Sequence, residues 1–251
     1  MSINNITPVI IAKNAEETIG ETLKSLEDFS EVILYLNDSS DTTKNIASNF
    51  SNVKIIFGEF KGFGPTKNEA ALYSTNDWIL SLDSDEVIPI ELLNEIKNLD
   101  LDDEKYAFVL KRDNYFLGKK VKFSGWGQDF LLRIYNKKVH KFNNNMVHEF
   151  ILLENDSKKI TLKKSFKHNA IWKISQQLEK MEYYSNLFAS EKKGQKYSSV
   201  PLAVLKSIYH FIKIYIFKLG FLDGFAGFMI SISGANGVFY KYIKLYVENK
   251  K

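Results

Sequence analysis

The run Trp78-Ile-Leu-Ser-Leu-Asp83-Ser-Asp85-Glu86-Val87 constrains this chain more than any other stretch, because an unbroken apolar strand here runs straight into alternating carboxylates. A strand that is apolar on both sides must be covered on both faces, which predicts a sheet layered with helices. The carboxyl ends of such strands are where open α/β sheets bind ligands. Asp83 and Asp85 are two residues apart, so the pleat sends both to one side and turns Ser84 away. That pair suits a hard cation such as Mg²⁺ or Mn²⁺, and the expected ligand is a metal-bound phosphate.

Other readings of the same motif are open at this point. It reads equally as a polar junction whose acids are merely solvated. A calcium loop fits poorly, since its sixth position requires glycine and here holds Ile88. The Asp83-x-Asp85-x-Val87 spacing resembles the nucleophile motif of haloacid-dehalogenase-like phosphatases, but the downstream acidic pair those enzymes need is not found.

Charge is distributed unevenly: residues 1–104 carry −13, residues 105–168 carry +10 and the remainder +7, for a net +4. An acidic front half disfavours nucleic acid, and no nucleic-acid motif accompanies the lysines behind it. The basic, aromatic-rich rear suits an anionic surface. Zero cysteines exclude disulfides and thiolate metal sites and fit a reducing compartment. Glu16 and Glu17 follow the first apolar run where a signal peptide would be basic and then long and apolar, so no export is expected.

Short apolar runs alternate with helical periodicity over the first hundred residues, the pattern of a parallel sheet with crossover helices. Strands are expected at Ile6 to Ala12, Val32 to Leu36, Val53 to Phe57 and Asp77 to Leu82. Asn14 with Glu17, and Thr66 with Glu69, have capping-box spacing; Asp41 can cap the helix bearing Ile46 and Phe50, and Pro89 suits a helix's first turn. From Tyr106 to about Phe166 the strands become lysine-rich and aromatic, joined by turns such as Leu117-Gly118-Lys119, which predicts a mixed or antiparallel extension.

The last eighty or so residues read as helical. Between Pro201 and Leu219, Lys206, His210 and Lys213 share one side, while Leu202, Leu205, Ile208, Tyr209, Ile212, Ile216 and Phe217 cover much of the rest. Crossing a bilayer takes about 20 apolar residues with few charges. Lys206, Lys213 and Lys218 argue for lying in an anionic membrane interface instead, with packing inward against the domain as the alternative.

Taken in order, several segments resemble the family 2 glycosyltransferases, inverting enzymes of the GT-A fold, and among them the lipopolysaccharide-core β-1,4-glucosyltransferases. The segments are Thr7-Pro8-Val9-Ile10-Ile11-Ala12-Lys13-Asn14-Ala15-Glu16, Gly62-Phe63-Gly64-Pro65-Thr66-Lys67-Asn68-Glu69-Ala70, Leu82-Asp83-Ser84-Asp85-Glu86, Gly125-Trp126-Gly127-Gln128-Asp129 with Leu132-Arg133-Ile134-Tyr135, Val147-His148-Glu149, and Gly220-Phe221-Leu222-Asp223-Gly224. The resemblance implies a GT-A domain over residues 1–170, Rossmann-like with a mostly parallel mixed sheet. Residues 1–104 would bind the nucleotide sugar and 105–170 form the acceptor side, followed by an amphipathic, membrane-associating helical region over 171–251.

The same resemblance implies transfer of a hexose, glucose from UDP-glucose, to a heptose of a lipid-linked lipopolysaccharide or lipooligosaccharide core. The enzyme would work at the inner face of a bacterial cytoplasmic membrane, with Mg²⁺ or Mn²⁺ as cofactor. Asp129 aligns with the catalytic base that takes the acceptor's proton. Asp83, Asp85 and His148 are the candidate metal ligands, and His148 serves equally as a diphosphate contact. Pro8, Asn14, Lys67, Asn68, Asp83 and Arg133 are expected at the nucleotide sugar, with Gly62 and Gly64 letting backbone approach it; Arg133 either neutralises phosphate or pairs with a nearby carboxylate. Where the family has an Asp for uracil followed by Gly-Ser-Thr-Asp, this chain has Asn37-Asp38-Ser39-Ser40-Asp41, so Asn37 or Asp38 takes the recognition position. A different glycan or a polypeptide as acceptor, and a non-catalytic nucleotide-sugar-binding membrane protein, are the remaining alternatives.

Overall fold

The computed structural model describes residues 2–127, 129–146 and 148–251; Gln128 and Val147, each inside a motif quoted above, lie outside the described residues. In chain order the elements are β1 (Ile6–Ala12), α1 (Ile19–Lys24), β2 (Val32–Leu36), α2 (Thr43–Ala47), β3 (Val53–Phe57), α3 (Phe63–Leu72), β4 (Trp78–Asp83), β5 (Glu86–Val87), α4 (Ile90–Ile96), β6 (Tyr106–Phe116), β7 (Lys119–Lys120), β8 (Phe130–Asn136), β9 (Lys141–Phe142), β10 (Ile151–Leu152), β11 (Lys158–Ile171), α5 (Ile174–Lys192), α6 (Val200–Ile212) and α7 (Phe225–Glu248). The chain forms two compact units, Met1–Arg112 with Asp129–His168, and Asp113–Gln128 with Asn169–Lys251.

In the first unit the sheet order is β3-β2-β1-β4-β8-β6-β11-β5. The first four strands pair in parallel, while β8 runs antiparallel to β4 and to β6. This is the expected α/β arrangement with an antiparallel extension. The order reverses between β1 and β4, and that switch point opens a ligand crevice at their carboxyl ends. Register sets Ile11 opposite Asp83, so the end of β4 and the loop after β1 meet there.

Both faces of β1, β2 and β4 are buried, which explains their unbroken apolar runs, whereas β3 at the sheet edge is only partly covered. On one face Ile10, Leu34, Leu82, Phe108 and Phe166 pack with Leu23 of α1 and Leu92 of α4. On the other, Val9, Ile33, Ile79 and Tyr135 pack with Ala70 and Ala71 of α3. The period-two alternation of Val9 and Ile10 between these clusters is the pleat at work.

The helix starts differ from the capping-box expectation. Helix α1 begins at Ile19 with Thr18 at its N-cap position, and Asn14, at φ +50°, instead accepts the Ser40 N–H at 2.9 Å. Helix α3 begins at Phe63, so Thr66 lies inside it and accepts the Lys61 N–H at 3.0 Å. Asp41 does receive the Thr43 N–H and hydroxyl, at 3.0 and 2.6 Å, while its other oxygen takes the Glu16 N–H at 3.0 Å. Long-range pairing of the loops after β1 and β2 has thus claimed side chains whose spacing suggested local caps. Pro89 sits one residue before α4 rather than within its first turn.

In the second unit, Leu117 and Gly118 form the tight β6–β7 turn with φ of +48° and +76°. Ser199 accepts the Leu202 N–H to start α6, which continues into a wider π-helical turn over Lys213–Phe217. Phe116, Val121, Ile171, Ala226 and Ile230 make this unit's core. The stretch Val200–Phe217 is long and apolar enough to cross a membrane by length and composition, and only 6% of it is buried. Leu205, Tyr209 and Phe217 are 66%, 64% and 72% exposed.

Candidate active site

Strand β4 ends at Asp83, a two-residue turn holds Ser84 and Asp85, and β5 starts at Glu86. Thr22 of α1 fastens this turn by donating its hydroxyl to the Ser84 carbonyl at 3.0 Å. The turn brings Glu86 back under Asp83, where Glu86 is fully buried and accepts the Asp83 N–H at 3.0 Å. Arg133 on β8 then reaches both acids, at 3.1 Å from Asp83 Oδ2 and in a close pair with Glu86 Oε1. Its guanidinium also lies over the Phe166 ring, 5.5 Å from the centroid.

The pairing continues in both directions. Lys67 of α3, itself buried, holds Asp83 Oδ1 and Glu149 Oε1 at 2.9 Å each. On the other side Arg112 of β6 lies 3.7 Å from Glu86 and forks onto Asp129 Oδ2 through both Nε and Nη2. The result is an alternating series, Glu149, Lys67, Asp83, Arg133, Glu86, Arg112, Asp129, in which four carboxylates meet three cations. Asp129 Oδ1 receives no donor among the described residues, which leaves one carboxylate oxygen free to take a proton.

For Lys67, Asp83, Glu86 and Arg133 burial is the largest influence on ionisation, and the charged partners then act on each. Burial alone would raise the pKa of Asp83, but Lys67 and Arg133 hold it well below the usual carboxylate range. Burial alone would strip the proton from Lys67, and Asp83 and Glu149 restore it, keeping the ammonium charged. Glu86 is pushed up to about 7, by burial first; Arg133 opposes that shift and Asp83 adds to it.

Several expected site residues prove to have protein partners. Both ends of the Asn68 amide are taken by Phe142, donating to its carbonyl at 2.9 Å and accepting its N–H at 2.8 Å, so Asn68 ties α3 to β9 rather than facing a nucleotide. Gly62 and Gly64 do allow close backbone approach, but the approaching backbone is residues 143–146. Phe63 and Gly64 donate to the Met146 and Asn145 carbonyls, and a Cβ on Gly64 would lie 1.9 Å from the Asn143 carbonyl oxygen. Arg133 pairs with carboxylates, the second of its two readings. Pro8 is buried mid-strand, paired in register with Leu80 and four residues short of the carboxyl end of β1. Asn37 is buried just beyond β2 and its N–H donates to the Ala12 carbonyl at 3.1 Å, whereas Asp38 is exposed with φ +52°.

Among the described residues no group of three His, Asp or Glu side chains stands close enough to hold a divalent cation, so Asp83, Asp85 and His148 do not form a cage. Both Asp83 oxygens are already occupied by cations, and His148 is exposed at φ +59°. Asp85 is different: it lies in the turn with its side chain 18% exposed, and His168 Nε2 of β11 is 3.5 Å from Oδ2. A hard cation held by one carboxylate together with phosphate oxygens and water fits this arrangement.

Sequence reasoning missed Glu86 and Arg112 as site-building residues. Glu86 stood in the quoted motif, but only the turn shows that it folds back beneath Asp83. Arg112 carried no signal. Asp223 is buried in the second unit and accepts the N–H groups of Lys122 and Phe123 and the Ser124 hydroxyl at 2.9, 2.9 and 3.0 Å, pinning the loop that leads into Gly125-Trp126-Gly127. Its place in the Gly220-to-Gly224 segment was the available clue.

The profile of glycosyl transferase family 2 matches residues 7–168, and the chain belongs to that family. An uncharacterised glycosyltransferase of Rickettsia typhi is 29% identical over 97% of this chain and 87% of its own length. One of Rickettsia prowazekii is likewise 29% identical, over 97% and 87%. Among solved structures, residues 1–349 of TarS from S. aureus align over 98% of this chain and 89% of that one, with 15% identity and a TM-score of 0.45. Glucosyl-3-phosphoglycerate synthase of Mycobacterium tuberculosis aligns over 45% and 44%, with 23% identity and a TM-score of 0.36. Likeness this loose transfers neither donor nor metal.

Removing Arg133 takes the nearest cation from fully buried Glu86 and one of two cations from Asp83. Arg133→Met is therefore expected to destabilise the protein by about 3–5 kcal/mol, whereas Arg133→Met combined with Glu86→Leu recovers most of that loss. Urea denaturation of wild type, both single variants and the double variant measures the coupling.

Proposed function

We propose that this glycosyltransferase moves a hexose, with inversion, from a UDP-sugar to a sugar of a lipid-linked acceptor. Glucose from UDP-glucose and a heptose of a lipopolysaccharide or lipooligosaccharide core are the specific pair. The observation that carries the reading is the charge series itself. It connects Asp83, at the switch point where a nucleotide binds, to Asp129, whose Oδ1 faces no donor among the described residues.

Each residue then has a chemical task. Lys67 and Arg133 are already charged and fixed, so they provide positive potential beside a diphosphate without reorganising. Asp85 would hold a Mg²⁺ or Mn²⁺ ion, which when bound supplies counter-charge to the leaving nucleoside diphosphate. Arg112 orients Asp129 through Oδ2, and Oδ1 removes the proton of the acceptor hydroxyl as that oxygen attacks the anomeric carbon from the face opposite the diphosphate. Asn37 and the loop residues Asn14 and Asp38 lie at the carboxyl ends of β1 and β2, where the base and ribose would be read. The exposed apolar face of α6, in a region of net charge +7, would dock on anionic lipid at the inner face of the cytoplasmic membrane.

Three outcomes test this. Asp129→Asn keeps shape but cannot accept the proton: UDP-glucose binding should survive while transfer to a lipid-linked core saccharide falls by about 10² or more. Wild-type turnover would place the base elsewhere. UDP binding measured by calorimetry should tighten with Mn²⁺ in wild type, and Asp85→Ala should remove that gain; equal binding with and without chelator argues against a metal. Flotation with phosphatidylglycerol vesicles should recover the protein, less so at high salt, and Leu205→Glu should weaken recovery. Failure to float at any anionic content would show that α6 meets something other than lipid.

A further inference from the structure

A second cavity, of about 570 Å³, lies wholly within the helical unit. Its walls include Trp126 from the glycine turn, Lys180 and Tyr184 of α5, His210 of α6, Lys213 at the start of the π-helical turn, and Lys241 of α7. Lys218 adds a fourth ammonium, and no Asp or Glu is among the lining residues described. Lys213 and Lys218 are exposed and form no ion pair with the described residues. Such a concentration of like charge repels itself unless an anion enters. The effect is felt locally: the pKa of His210 is lowered by burial first, then by Lys213 and Lys241.

Helix α7 opens the floor of this cavity with two glycines. A Cβ on Gly234 would stand 2.7 Å from His210 Nε2, and one on Gly237 would stand 3.6 Å from Met181 Cγ. Larger residues there would push into the space the cavity occupies. Gln177 Oε1, also at the wall, is shut off from solvent and accepts no hydrogen bond among the described residues. A buried acceptor without a donor fits a ligand hydroxyl. Trp126 and Tyr184 supply flat apolar faces of the sort on which sugar rings rest, and 570 Å³ is within the ordinary range for a small-molecule site.

Trp126 also stands three residues before Asp129, on the loop whose preceding residues Asp223 pins. We infer that this cavity binds a phosphate-bearing saccharide, the anionic portion of the acceptor, with the lysines and His210 on the phosphate and Gln177 and the aromatic rings on the sugar. This rests on the transferase reading above, since it assigns the acceptor rather than the donor.

Glucose 6-phosphate is a suitable probe, compared with glucose, inorganic phosphate and phosphatidylglycerol vesicles. Followed by NMR of the full chain, glucose 6-phosphate should raise the titration midpoint of His210. Its affinity should exceed that of either glucose or phosphate, and Lys213→Glu with Lys218→Glu should weaken it by at least about tenfold. Both lysines are exposed, so the double variant should fold; circular dichroism and unaltered UDP affinity check this. An unmoved His210, or equal binding by the double variant, would falsify the assignment while leaving the transferase reading intact if UDP still binds. Phosphate binding as tightly as the sugar phosphate, or a His210 response to vesicles alone, overturns it in favour of a simple anion or a lipid headgroup. Loss of UDP binding in wild type sinks the transferase reading itself.

Discussion

A guanidinium in the interior is the constraint from which the rest of the catalytic unit follows. Arg133 cannot shed its charge, so its burial is tolerable only while Asp83 and Glu86 stay within reach. That requirement dictates the antiparallel placement of β8 beside β4 and the sharp turn at Ser84 and Asp85 that folds Glu86 back. Buried pairs of this kind seldom add stability over an apolar core, but breaking one is costly. They therefore lock the geometry more than they strengthen it.

The lock extends because every interior member of the series is shared by two partners. Asp83 is shared by Arg133 and Lys67, and Lys67 by Asp83 and Glu149. Asp129 ends the series with one oxygen held by Arg112 and the other without a donor among the described residues. Polar networks in a low-dielectric interior are rigid when complete, and a transferase gains from donors and acceptors that need not move as charge develops. The lopsided charge of the sequence has its explanation here as well. Acids at the β4 end, from the strongly negative first 104 residues, are met by Arg112 and Arg133 from the positive section that follows.

The central strands of the first unit were legible because two-sided burial leaves an apolar run with no other use, and β1 and β2 lie where that pattern put them. The helix caps were not. Asn14 has the right spacing for a local bond but is engaged by Ser40, across loops the chain brings together only on folding, and Thr66 takes the Lys61 N–H from inside a helix that starts earlier than its spacing suggested. Asn68 illustrates the same limit at the site: its position in a family motif suggested a ligand, whereas both halves of its amide complete the backbone of Phe142, seventy-four residues away.

By itself the sequence determined the α/β layering, the position of Asp83 and Asp85 at a strand end, the acid at position 129 and the amphipathic character of α6, since each follows from local periodicity or from motifs read in order. Only the tertiary structure decided what those residues touch. It gave Asp83 two cations, set Asp85 in the turn beside His168, put Glu86 at the buried centre, and collected lysines from α5, the turn after α6, and α7 around one cavity. Spacing along a chain reports which face a residue occupies. Charge pairing across a fold depends on strand order and register, and one sequence does not contain those in readable form.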